Sequence, residues 1–200
     1  MCYPTISTGW MSLWITIIAA FAFSQQARAE EQLRATPSPR AVEAVHLLES
    51  DDPYQRQVGF LRLEALREPS TVEIIRPYVG HKDPEIRAYS LRALAAIEGG
   101  KAVPLLLQTL KRDKHPRVRR AALLGLEPFQ RQDPDILPAF LQALRDRNTE
   151  VRMAAVDIVS RINDPKARDA LLMRNKRERR HDVRRILALA MKRLGTLDAR

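Results

Sequence analysis

Cysteine is almost absent from this chain: 200 residues contain one, Cys2. No disulfide framework can form, and no compartment is demanded by redox chemistry. Glycine is scarce too, with seven in all and no run of them that could cradle a phosphate. Aromatic residues make up 6% of the chain, and both tryptophans, Trp10 and Trp14, fall in its first 29 residues. The others include Tyr54, Phe60, Tyr78, Tyr89, Phe129 and Phe140, mostly at core spacing, which leaves few rings for stacking on bases. No serine or cysteine stands in a nucleophile elbow, and no pair of histidines has zinc-ligand spacing on one helix. Catalytic residues, a cofactor site and a metal site are therefore all expected to be absent.

What the chain has in abundance is one recurring unit. Over Ala102–Leu126, Val103, Leu106, Leu107 and Leu110 share one helical face. After a polar turn ending in Pro116, Val118, Ala121, Ala122 and Leu126 share another. A two-helix hairpin has almost no interior, so such a unit can bury its stripes only against copies of itself. Five copies are legible from an arginine near the start of each second helix: Arg56, Arg87, Arg119, Arg152 and Arg184, at steps of 31, 32, 33 and 32 residues. Seven residues on stand Leu63, Leu94, Leu126, Val159 and Met191; ten on stand Leu66, Ile97, Phe129, Ile162 and Leu194. Three on, the side chain is small in every copy but the last: Gly59, Ser90, Ala122, Ala155 and Leu187. The expected fold is an all-α, right-handed α-solenoid of five helix pairs over residues 41–195. Asp52-Pro53, Asp83-Pro84, Asp133-Pro134 and Asp164-Pro165 read as helix starts, and Ser70-Thr71-Val72-Glu73 as a capping box.

The stretch 102–126 resembles the HEAT repeats of the phycobilisome-lyase-like kind found in bacteria, whose pattern is an Ala-Val-Pro-x-Leu-Leu helix, an Asp-containing turn with Pro, then Val-Arg-x-x-Ala-x-x-Ala-Leu. Asp83-Pro84-Glu85-Ile86-Arg87 and Glu150-Val151-Arg152-Met153-Ala154-Ala155 carry the same resemblance. It implies that the five arginines form a structural ladder with acidic turn residues such as Asp52, Asp83, Asp113 and Asp146, joining turn to helix and repeat to repeat. A resemblance to the di-iron HEAT-repeat hydroxylases stops at the fold, because their His-Glu pairs are replaced by His46-Leu47, His81-Lys82, His115-Pro116 and His181-Asp182.

The two ends read differently from the middle. Residues 1–29 hold one charge, Arg28, an apolar stretch from Trp10 to Phe23, and Ala27-Arg28-Ala29 in cleavage-site form. This predicts a signal peptide cut near Ala29 and a periplasmic or secreted protein, followed by a polar linker over 30–40 and a tail over 196–200. No Lys or Arg precedes the apolar stretch, so an uncleaved membrane anchor is the competing reading.

Charge supplies the candidate surfaces. The net charge is +10. Stacked turns should form a basic edge from Lys111, Arg112, Lys114 and Arg117 to Lys176, Arg177, Arg179 and Arg180. The second helices should line a concave face that includes Arg92, Arg120, Leu61, Leu124, Met153, Arg185 and Leu189. The expected function is a non-enzymatic scaffold in the periplasm or cell envelope, binding a protein partner with an acidic surface; anionic lipid or glycan would suit the same edge. The alternatives are a cytoplasmic nucleic-acid binder resembling the HEAT-like DNA glycosylases, and a lyase accessory or enzyme without identifiable catalytic residues.

Overall fold

The computed structural model describes residues 36–197, and every regular element among them is helical. The expected signal peptide, its cleavage site and most of the linker lie outside the described residues. The five pairs are α1 (Pro39–Leu48) with α2 (Pro53–Leu66), α3 (Val72–Ile75) with α4 (Pro84–Glu98), α5 (Val103–Arg112) with α6 (Pro116–Leu126), α7 (Ile136–Ala143) with α8 (Thr149–Val159), and α9 (Pro165–Arg177) with α10 (His181–Leu197).

Four of the five second helices begin with the same local chemistry. Asp52 and Asp83 accept from the N–H groups of Tyr54 and Glu85, each at 2.9 Å, and Asn148 accepts from Glu150 at 2.9 Å. In the third pair His115 does the work of an aspartate, its Nδ1 accepting from Arg117 N–H at 3.3 Å. A side-chain acceptor one residue ahead of the helix satisfies one of the orphan N–H groups there, and proline fits the position that follows. The first helix starts at Pro39, two residues before its expected boundary, because Ser38 caps it and is held by Glu68 through Ser38 N–H at 2.9 Å.

The second pair departs from the sequence reading. Ser70–Glu73 form no capping box; the Thr71 hydroxyl instead donates to Glu68 O at 2.8 Å. Pro69 and Pro77 each lack an N–H, and α3 is cut to a single turn between 3-10 segments at Pro69–Thr71 and Arg76–Gly80. Likewise Asp133-Pro134 makes a turn, Asp133 accepting from Asp135 N–H at 2.8 Å, and α7 starts only at Ile136.

The residues three after each arginine are all buried, and four of the five at plus seven are fully so. They interlock α2, α4, α6, α8 and α10 as one inner layer. Helix α4 is buried on two sides: Ile86, Ala93 and Leu94 join the core of the first pairs, while Ala88, Leu91 and Ala95 join the core that runs on to Leu194. No pair has a core apart from its neighbours, as the hairpin geometry requires. Gly59 marks the tightest crossing, where a Cβ would stand 2.8 Å from both Ala44 O and a Leu48 methyl.

Candidate functional site

The recurring arginines define the frame on which any site is mounted. In each of the three middle copies the guanidinium makes a fork to the acid of the following turn. Arg87 Nε and Nη2 donate to Asp113 at 2.9 Å each, and Arg119 does so to Asp146 at 2.8 and 2.7 Å. Arg152 reaches Glu178 at 3.0 and 3.2 Å. The remaining Nη1 clamps two carbonyls of its own turn: His81 and Lys82 for Arg87, Asp113 and Lys114 for Arg119, Asp146 and Arg147 for Arg152. Each acid also accepts the backbone N–H of its own turn, at His115, Asn148 and Arg180. One side chain thus fastens the turn of its own repeat to that of the next. Bidentate, charge-assisted bonds of this kind are the strong ones.

Of the four expected ladder partners, Asp113 and Asp146 are rungs and Asp52 and Asp83 are not. Asp52 and Asp83 are helix caps, whereas the rung lies six residues before each arginine: Ser50, His81, Asp113, Asp146 and Glu178. Glu178 was not singled out from sequence, although it occupies the slot of Asp113 and Asp146. Among the described residues Arg56 has only the carbonyls of Ser50 and Asp51, at 2.7 and 2.8 Å, since His81 stands where the next repeat should offer an acid. Arg184 is exposed, with no sixth repeat described beyond it.

Burial alone would push these carboxyls up, but the N–H and guanidinium bonds outweigh it. Asp113 and Asp146 are held below the usual carboxylate range, and Glu178 is lowered to about 2 by the N–H of Arg180 and by Arg152 and Arg174. The corresponding forks raise Arg87 and Arg119 further.

On the concave side, α2, α4 and α6 enclose a cleft of about 710 Å³. It brings together Arg92, Arg117, Arg120 and Leu124 with Tyr89, at the mouth and floor of one groove. Two of these cations are already matched. Arg92 pairs with Glu64 at 2.9 Å, and Arg117, expected on the turn edge, reaches back to Glu85. Arg120 is exposed with no ion pair among the described residues, and Leu61, Leu124 and Leu189 are exposed on the same layer. Met153 is half-buried against the core instead. Arg185 is exposed on α10.

The other basic residues sit where the turns stack. Lys111, Arg112 and Lys114 are exposed around the end of α5; Lys176 and Arg177 end α9, with Arg179 and Arg180 exposed just beyond. Arg180 also lies 3.4 Å from Asp182. Among the described residues no three of His, Cys, Asp and Glu converge as metal ligands. His81 and His115 use Nδ1 to accept turn N–H groups.

A family model described as HEAT repeats matches residues 41–127 and 103–192, most of the chain. The chain belongs to the HEAT-repeat family. Its repeats are 38% identical over 76 residues to the bilin biosynthesis protein RpcE of Synechococcus sp. (strain WH8020), a match spanning 38% of this chain and 28% of that relative. The HEAT-repeat chain is also similar to the structure of the CpcE–CpcF complex of phycocyanin lyase from Nostoc sp. PCC7120, at 25% identity and a TM-score of 0.57, covering 76% of this chain and 97% of that one. An engineered protein shares 16% identity over 86% of the chain, with a TM-score of 0.48. Fold and repeats agree with the expected α-solenoid.

The expected function and location are corrected by the same findings. The similar proteins are named for bilin biosynthesis and for a phycocyanin lyase, not for an envelope scaffold, so the periplasmic or secreted scaffold is set aside. Residues 1–29 carry the apolar stretch and the Ala-x-Ala site of an export signal but lack its leading positive charge.

Proposed function

We propose that this chain is a non-catalytic, protein-binding subunit of a lyase-type assembly, which holds its partner protein in the concave groove of α2, α4 and α6. The observation that carries the reading is the groove itself: an apolar floor at Leu124, a cation at Arg120 that no carboxylate among the described residues satisfies, and a backing of ladder-linked repeats. Exposed leucines ringed by charge are what a protein interface has at its centre and rim. Similarity to one chain of a two-protein lyase complex supports a partner subunit, and the matched stretch of RpcE supports work alongside bilin chemistry. The absence of a nucleophile–base pair in the sequence supports placing the chemistry elsewhere in the assembly. The solenoid over 39–197 would be the working body.

The test is co-purification of the tagged chain from its own cells, with Arg120→Glu and Leu124→Glu combined as the variant. The expected result is a stoichiometric partner with the natural chain and its loss with the variant, while circular dichroism and the melting temperature stay unchanged. A partner that survives both substitutions would overturn the assignment.

A further inference from the structure

A second depression opens on the far side of the repeats from the concave groove. Helix α7 has 8 residues, between 10 in α5 and 13 in α9, and is the shortest of these three neighbouring first helices. A cleft of about 910 Å³ lies between α5 and α7, and another of about 700 Å³ between α7 and α9. The two flank α7 and share its exposed Pro138, Gln142 and Arg145, making a double trough with α7 along its middle. Its floor is apolar, from Leu107 across Pro138 and Ala139, with Met173 55% exposed on the far wall.

The rim is positive because of the ladder. Asp113 and Asp146 line the trough, but their charge is taken up by Arg87 and Arg119. That leaves Lys111, Arg112, Lys114, Arg145, Lys166 and Arg177, all exposed and none in an ion pair among the described residues. Only Asp135 and Asp169 are left among the lining residues to oppose them. Three helices side by side at ~8–10 Å spacing give a trough of about 20 Å, the length of roughly six extended residues. In an extended chain successive side chains point opposite ways, so apolar residues would face the floor while acidic ones face outward, where the long Lys and Arg side chains of the rim can reach them.

We infer that the trough over α7 binds an extended acidic segment of another protein in which Asp or Glu alternates with apolar residues. Cations spread along a line over an apolar floor suit such a peptide better than a compact phosphate, which needs donors converging on one point. This site is separate from the concave groove, and each can fail without the other.

Fluorescence anisotropy with the full chain and a labelled peptide of four Glu-Leu repeats tests the inference. The peptide should bind at low salt, and Lys111→Glu with Arg145→Glu should weaken it by about tenfold or more, as reversing charges along a steering edge does. Arg112→Glu with Arg177→Glu, a second pair of exposed and unpaired sites, should act likewise, and Arg120→Glu in the concave groove should change nothing. Equal binding of an all-glutamate peptide would show charge attraction without use of the floor and overturn the inference. So would efficient displacement by tripolyphosphate, full binding to both charge-reversed pairs, or no binding by the natural chain.

Discussion

At the scale of single residues, the fold is set by which arginines find a carboxylate. Glu178 is the clearest case, with its side chain 2% exposed and two guanidiniums upon it. Its carboxyl lies at about 2 in the folded chain against an ordinary value of 4.5. A depressed carboxyl stabilises the fold above its unfolded value, and the contribution disappears as pH falls from there toward 2. The difference corresponds to about 3 kcal/mol. Glu178→Gln should therefore cost about that much in urea unfolding at pH 7, and the gap to the natural chain should nearly close by pH 2. A gap of equal size at both ends would show that Glu178 acts by packing alone. The missing rung gives the opposite experiment. His81→Asp would offer Arg56 the carboxylate that Arg87 finds in Asp113, at a partly exposed site worth about 1 kcal/mol. The melting temperature should rise by roughly 2–4 °C; no rise would mean that Arg56 cannot reach across.

At the scale of helices, close approach in the first pair depends on Gly59. Alanine there gains helix propensity of up to about 1 kcal/mol but would drive a Cβ into a carbonyl oxygen of α1. Gly59→Ala should lose about 1–3 kcal/mol. At Gly125 the same change meets Leu106 methyls at 3.2 and 3.3 Å and the Ala95 Cβ at 3.4 Å, with no backbone atom so close, and should stay within about 1 kcal/mol of the natural chain. Chemical denaturation of both variants checks this; equal effects would contradict the crossing geometry. The helix scale is also where the sequence misled. Ser70-Thr71-Val72-Glu73 has the letters of a capping box, but Pro69 and Pro77 deny the neighbouring backbone its donors and leave one α-turn. Asp52 and Asp83 stand near the ladder arginines in the chain, yet capping uses them, and the true rung comes from the next repeat, 26 or 27 residues on.

At the scale of the whole molecule, the stack was legible because a period of about 32 residues with fixed small and large positions leaves a hairpin no other way to bury its stripes. The surfaces were legible only in outline. Register placed Arg92, Arg120 and Leu124 on one face, but pairing across repeats, as of Arg92 with Glu64 and Arg117 with Glu85, depends on how the layers settle. The short α7 depends on where one helix begins after Asp133-Pro134, which no propensity fixes to within a turn. The central claim is that the groove of α2, α4 and α6 holds the partner subunit. Photo-crosslinking in cells measures this directly, with a benzophenone amino acid placed at Leu61 or Leu124 on the concave side and at Val42 or Ile74 on the first helices, all exposed. The partner should be captured from Leu61 and Leu124 and not from Val42 or Ile74; capture from the first helices alone would contradict it.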